Sequence, residues 1–405
     1  MAKILFLAHR APFPPNKGDK IRAFHVLQHL AANHDVWLGA GVDETADLQH
    51  LPLAKQLCRD AYFGWLGPIR RTANMALGAL TGSPISVSRF HHGGLARWVR
   101  RILTEVKPDF AYVFSSAPAQ FLFDVGVNRP RVIIDFVDAD AEKWRAYAQS
   151  TPRPQRWIFG EEFKRLVGFD RQALAMAEAG LLISHTERSL FAEFAPEGAG
   201  KLHVMANGVD TEFFRPMDGA SSGRNIVMCG RMDYRPNVEG AVWFAREILP
   251  LVRAQAPDAV LRIVGAMPAP QVGALAEPGR IEVTGAVSDV RPYLADAAVV
   301  IAPLLIARGI QNKVLEGMAA GRPMVATPDA LDGISAQPGR DILVGADAAQ
   351  FAEKVSDVLL NRAPPNLGAN GRRHVLDHYQ WAHQLKVLDK IMLETPHRSS
   401  GQAAA

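Results

Sequence analysis

Ala307-Arg-Gly-Ile-Gln-Asn-Lys-Val-Leu-Glu-Gly-Met-Ala-Ala-Gly-Arg-Pro-Met-Val-Ala-Thr327 reads as a strand end, a glycine turn, a helix, a glycine stop and a second strand. Before it, Val299 to Leu304 is a short apolar, β-branched run that ends at a turn. Gly309 lets the backbone bend there. Gln311 to Ala320 has helical spacing, with Val314, Leu315, Met318 and Ala319 on one face. Gly321 and Pro323 end the helix before the strand at Met324 to Thr327. A strand feeding a helix through a glycine turn offers backbone N–H groups and a positive dipole end, which suit a phosphate. Lys313 falls in the first turn near that anion, and Glu316 lies a turn further on, where a carboxylate accepts hydroxyls such as those of a ribose. The pattern describes a nucleotide-diphosphate site, although many α/β proteins contain a glycine turn and a helix with one Lys and one Glu.

The same alternation extends outward in both directions. Lys3 to Ala8 is a near-continuous apolar run, as expected for a parallel strand buried on both faces. A Pro/Gly loop follows, then a helix from about Ile21 to Ala32. Further strands are expected at Val36–Ala40, Ala61–Trp65, Phe110–Phe114, Val132–Val137, Leu181–Ser184 and Leu202–Met205, with a long helix over about Gln155 to Ala179. A second series follows at Ile226–Cys229, Ala259–Val264, Ile281–Thr284, Val299–Pro303, Met324–Ala326 and Ile342–Val344. Alternating strands and helices argue for doubly wound parallel sheets. The 405 residues suit two such domains, expected as 1–208 and 209–368. A helical end over 369–397 is expected to cross back to the first domain, and 398–405 reads as a tail. Two Rossmann-like domains are expected to face one another across a cleft at the carboxyl ends of their sheets.

Composition narrows the function classes. Cys58 and Cys229 lie in different halves and read as buried thiols of a reducing compartment. Nothing resembling a signal peptide precedes Lys3 and no run of 18 apolar residues occurs, so a cytoplasmic protein is expected, at the inner face of the plasma membrane if it is peripheral. No Gly-x-Gly-x-x-Gly follows the first strand and no P-loop occurs, so neither a nicotinamide nor a flavin cofactor is expected. Formal charge is +5 over 1–208 and −1 over 209–405. Residues 61–104 carry Arg70, Arg71, Arg89, Arg97, Arg100 and Arg101 and no acid, with Trp65, Phe90 and Trp98 interleaved. A solvated helix face, a nucleic-acid surface and an anionic-membrane surface all fit that segment, and no nucleic-acid module accompanies it.

Four segments resemble the GT-B glycosyltransferases of family 4. Val204 to Pro216 is similar to that family's Pro-Asn-Gly-Val-Asp linker, and Ile226-Val-Met-Cys-Gly-Arg231 to the Gly-Arg turn opening its donor domain. Ile281 to Val287 resembles its nucleobase-side strand, and the opening stretch its Glu-x7-Glu signature. Asn225–Phe244, Ala302–Glu316 and Asp135–Trp144 resemble the sugar transferases of exosortase/PEP-CTERM exopolysaccharide systems. The resemblance implies metal-independent, retaining transfer from a UDP- or GDP-type sugar to a polysaccharide or lipid-linked glycan. It implies diphosphate contacts from Arg231, Lys313 and the Gly309, Ile310, Gln311 and Asn312 amides, the ribose on Glu316, the base side at Val287, and close backbone approach at Gly18.

The chain departs from the family at four positions. Arg308 stands at the first Glu of Glu-x7-Glu, Asp19 at the second Gly of a Gly-Gly loop, and Asn237 where a lysine is usual. Asp138 takes the approximate place of the family's histidine, as a group to position or deprotonate the acceptor, with Asp135 the second choice. A helix N-cap is the ordinary alternative for Asp138. Arg70, Arg71, Arg97, Arg100 and Arg101 are assigned to the acceptor or membrane side. A non-catalytic nucleotide-sugar-binding partner and a UDP-sugar 2-epimerase of the same fold remain as alternatives.

Overall fold

The computed structural model describes residues 1–15, 18–126, 129–152, 154–217, 223–307 and 309–394, without the side chain of residue 150. The chain divides into two compact units. One comprises Met1–Met205 together with the segment from Leu385, and the other Ala206–Gln384. No described helix is long and apolar enough to cross a membrane.

Seven strands build the first unit: β1 (Lys3–Ala8), β2 (Asp35–Val42), β3 (Asp60–Trp65), β4 (Phe110–Phe114), β5 (Arg131–Val137), β6 (Ala179–Leu182) and β7 (Leu202–Val204). They pair in the order β3-β2-β1-β4-β5-β6-β7, every pair parallel. Ile4, Leu5, Phe6 and Leu7 have no exposed surface, as a central strand covered on both faces requires. One layer is helix Gly93–Glu105, whose Leu95, Val99 and Ile102 join Val113, Ile134 and Leu174 in the core. Helix Gly18–Asn33 buries Ala23, Val26, Leu27 and Leu30.

Six strands build the second unit: β8 (Asn225–Cys229), β9 (Val260–Val264), β10 (Ile281–Val283), β11 (Val299–Ala302), β12 (Met324–Ala326) and β13 (Leu343–Val344). Their order is β10-β9-β8-β11-β12-β13, again all parallel. Both sheets thus reverse direction beside their own first strand, between β1 and β4 and between β8 and β11. In open α/β sheets that reversal parts the helices on the two faces and opens a crevice at the carboxyl ends of the strands. All thirteen expected strands occur, with ends displaced by a residue or two.

The expected single C-terminal helix is instead three: Leu367–His378, Trp381–Gln384 and Lys386–Glu394. The break has a backbone cause. The Tyr379 carbonyl accepts the Val209 N–H at 2.7 Å, and Val209 bridges Gln380. A Cβ on Gly208 would sit 2.6 Å from the Trp381 Cα, so the Asn207-Gly-Val-Asp210 linker packs where the helix stops. In the first unit, His29 Nε2 lies 2.7 Å from Asp389 of the last helix.

Candidate functional site

In the second unit the chain turns out of β8 at Gly230 and out of β9 at Gly265. A Cβ on Gly265 would stand 1.7 Å from the Gly230 carbonyl oxygen, so the two turns touch backbone to backbone. Arg231 follows immediately, half exposed, with Nε 3.0 Å and Nη2 2.7 Å from the two oxygens of Asp233. Its Nη2 also approaches Met267 Sδ at 3.2 Å. Asn237, at the start of the next helix, is buried and donates to the Arg231 carbonyl at 2.7 Å. Its Oδ1 accepts the Lys313 ammonium. Asn237 therefore links the Arg231 backbone to the Lys313 side chain.

Lys313 belongs to helix Asn312–Ala319, which starts one residue later and ends one earlier than expected. Gly309 makes the approach possible with φ +65°, a left-handed turn in which a side chain would be strained. Gln311 Nε2 donates back to the Gly309 carbonyl at 3.1 Å. Ile310 is buried. Val314, Leu315, Met318 and Ala319 form the buried face. Asn312 Oδ1 accepts from Asn207 Nδ2 at 3.0 Å, tying the linker motif to the first turn of this helix. Burial pushes Lys313 down to about 8, against the pull of Glu316. Burial likewise pushes Glu316 up to about 7, against Lys313. Val287 is half-buried in the loop after β10. Arg308 lies outside the described residues.

Arg231, Asn237, Lys313 and Glu316 thus gather at the β8/β11 reversal, with Cys229 beneath them. Burial pushes the Cys229 thiol up to about 12, as it does that of Cys58, and both are free thiols. Among the described residues no group of three or more His, Cys, Asp or Glu is arranged to hold a metal.

The first unit places Gly18 and Asp138. Gly18 opens helix Gly18–Asn33, where a Cβ would meet nothing within 4 Å, so the fold itself makes no demand for glycine there. Burial would raise its neighbour Asp19. Hydrogen bonds and charge from His9 and Arg10, at 3.5 and 3.1 Å, outweigh that and hold the carboxyl well below its usual range. His9, at the end of β1, stacks on Phe114 at the end of β4 with ring centroids 5.9 Å apart.

Asp135 is locked in the core. Arg22 donates to it from Nε at 2.8 Å and Nη2 at 3.0 Å, and the Tyr112 hydroxyl at 2.6 Å. Its exposed surface is zero, which makes it a structural ion pair without a free oxygen edge for substrate. Beyond it, Val137 has φ +69°, rare for a β-branched residue, and the β5–β6 register shifts at the same place. This kink delivers Asp138. Asp138 is exposed, yet the surrounding chain removes part of its solvation. That partial desolvation, then Glu187 and Asp140, push its carboxyl up to about 7 against Arg22. The N-cap alternative for Asp138 does not hold. The following helix begins at Asp140 with Ala139 in the cap position and no side-chain cap, and Ala139 N–H donates to Glu187 at 2.7 Å.

Sequence reasoning missed three groups here: the Arg22–Tyr112–Asp135 network, the buried Lys20–Asp47 pair at 2.5 Å, and Asp170. Burial pushes Asp170 up to about 8 while it hydrogen-bonds Ser116. Two bases spaced two apart in an apolar helix are the only local hint of the first two, and nothing local marks the third.

The arginine-rich segment is divided. Arg71 reaches Asp43 at 3.5 Å, and Arg101 reaches Asp60 at 2.8 Å and Glu105 at 3.9 Å. Trp98 is buried, and its Nε1 donates to Asp60 at 3.1 Å. Phe90 lies edge-on to His9 at 5.1 Å. Arg70, Arg97 and Arg100 are exposed and have no carboxylate partner among the described residues.

Comparison with known proteins agrees with this architecture. Residues 223–361 match the family described as glycosyl transferases group 1. A Klebsiella pneumoniae protein, the uncharacterized 44.6 kDa protein in the cps region, is 21% identical over 371 residues, covering 88% of this chain and 90% of that one. Anabaena HepE in complex with UDP superposes with a TM-score of 0.68 at 14% identity, over 97% of this chain and 100% of that chain. Its UDP-glucose complex does so with 0.68 at 13%, over 98% and 100%. Sucrose-phosphate synthase from Thermosynechococcus elongatus gives 0.72 at 16%, over 97% and 99%. Such identities establish fold: two parallel-sheet α/β domains in one chain, the GT-B fold.

Proposed function

We propose that the protein is a retaining, metal-independent glycosyltransferase that moves a sugar from a nucleotide-diphosphate donor to a polysaccharide or lipid-linked glycan in exopolysaccharide synthesis. The single observation that carries this reading is the Arg231–Asn237–Lys313 chain with Glu316 a turn away, at the reversal of the second sheet. Departure of a nucleoside diphosphate concentrates negative charge on the bridging oxygen as the anomeric bond breaks. Fixed cations and N–H dipoles stabilise that charge without reorganising. Lys313, Arg231 and the Gly309–Asn312 amides supply them, and Glu316 as carboxylate accepts the ribose hydroxyls. Asp138, raised toward neutrality, positions the acceptor hydroxyl and takes its proton as the new glycosidic bond forms. The group 1 match over 223–361 supports a transferase, the UDP complexes of the Anabaena structures a UDP-type donor, and the cps-region relative a polysaccharide product.

The test is nucleotide release from a panel of UDP- and GDP-sugars with extracted glycan or lipid-linked acceptors. Acceptor-dependent release, lost in Lys313→Ala and Glu316→Ala, is expected. Absence of release with every donor, or conversion of the nucleotide sugar with no acceptor present, would overturn the reading, the latter in favour of an epimerase.

A further inference from the structure

Helix Pro68–Thr81 is built the wrong way round for a water-facing helix. Ile69, Ala73, Ala76, Leu77 and Leu80 follow the i, i+4, i+7, i+8, i+11 spacing of a single apolar stripe. In a helix packed on a core that stripe faces inward. Here Ile69 is 86% exposed, Leu77 60% and Leu80 86%, with Ala73 and Ala76 exposed between them. The inward side carries Gly78, Asn74 and Arg71 instead. Gly78 is buried because a Cβ there would lie 2.2 Å from Ser88 Oγ, which lets the helix press against Ile85–Ser88. Asn74 Nδ2 donates to the His91 carbonyl at 2.8 Å, and Arg71 pairs with Asp43. The helix is therefore held by its polar side, and its apolar stripe is left without a partner among the described residues.

The surroundings of the stripe are cationic. Arg70 and Arg97 both lie close enough to His92 that their charges help lower it, after burial. Together with Arg100 they are exposed and have no carboxylate partner among the described residues. Trp65, 41% exposed, flanks an open groove of about 540 Å³ that Ile69 and Arg70 also line. Fourteen residues make a helix about 21 Å long, too short to cross a bilayer core of about 30 Å. An apolar stripe of this length beside unpaired arginines and an exposed indole matches an anionic membrane–water interface. There the stripe enters the acyl boundary and the guanidinium groups meet lipid phosphates.

We propose that helix Pro68–Thr81 is a membrane-docking element that lies in the plane of an anionic bilayer, with Ile69, Leu77 and Leu80 inserted and Arg70, Arg97 and Arg100 on the headgroups. The inference stands apart from the transferase reading, because it rests on none of the residues assigned to the nucleotide.

The experiment is flotation of the full chain with vesicles of phosphatidylcholine alone and of phosphatidylcholine with about a third phosphatidylglycerol. The wild type binds the anionic vesicles, less strongly as salt rises. Ile69→Glu/Leu80→Glu lowers the partition coefficient at least tenfold. Ile69→Ser/Leu80→Ser, which adds no charge, lowers it at least threefold. Arg70→Glu/Arg97→Glu/Arg100→Glu abolishes the preference for phosphatidylglycerol. An unchanged melting temperature in both stripe variants keeps folding out of the comparison. Failure of the wild type to bind either vesicle overturns the proposal, as does undiminished binding by the stripe variants. A dimer that Ile69→Glu/Leu80→Glu converts to monomer, without vesicle binding, overturns it in favour of a second copy on this face.

Discussion

Lys313 and Glu316 sit three positions apart on one helix, and burial pushes the lysine down to about 8 and the acid up to about 7. Diphosphate binding needs the ammonium and ribose binding the carboxylate. Affinity for UDP should therefore rise with pH through about 7 and fall through about 8, a bell read by calorimetric titration. Glu316→Gln removes the acid flank and Lys313→Arg carries the alkaline flank out of range, whereas a flat profile in the wild type contradicts both assignments. The proposed function places Asp138 at a different step. Asp138→Asn should lower kcat by roughly 10²- to 10⁴-fold while leaving UDP affinity within about twofold. Equal loss of kcat and affinity would place Asp138 in donor binding instead. At this scale the placement of Lys313 and Glu316 on one helix behind a left-handed glycine was legible, because the glycine turn and the helical spacing are both local in sequence. The settings of His9 and Asp170 were not, and Asn237 was marked only by its place where a lysine is usual, because each owes its contacts to groups far away in the chain: Asn237 meets Lys313 across 76 positions.

Between the elements, buried polar contacts decide how helix and sheet meet. Arg22 of helix Gly18–Asn33 closes on Asp135 of β5 across 113 positions. Arg22→Ala leaves that carboxylate buried and unpaired, and should cost about 3–5 kcal/mol in urea unfolding. Arg22→Ala/Asp135→Ala should cost less than the two single changes added together, because the orphaned charge is gone. Additive losses would mean that the pair is not coupled. Gly265→Ala forces a methyl into the Gly230 carbonyl and should destabilise by roughly 3 kcal/mol, with loss of UDP binding. A stable variant that still binds UDP would show that the two turns can part without consequence. The strands themselves were readable because runs such as Ile4–Leu7 and Val299–Ala302 are apolar on both faces, which only a covered parallel strand sustains. The three-way break of the C-terminal helix was not, since it depends on Val209 pairing with Tyr379 and Gln380. The inverted helix Pro68–Thr81 also escaped notice. Periodicity identifies an apolar stripe but does not say whether the chain covers it.

Across the whole molecule, two sheets of the same strand order each carry polar groups at their own reversal point. His9 and Asp19 follow β1 at the first, with Asp138 at the end of the neighbouring β5, and Arg231, Lys313 and Glu316 stand on the second. The doubled arrangement follows from two alternating series of strands in one chain, and the proposed function assigns nucleotide and acceptor to different units. Peptide-resolved hydrogen exchange with and without saturating UDP tests that assignment most directly. The account predicts slowed exchange in the segments 229–238 and 309–319 of the second unit, absent in Lys313→Ala. Unchanged exchange in both segments with UDP, GDP and ADP alike, or protection that survives in Lys313→Ala, would contradict it.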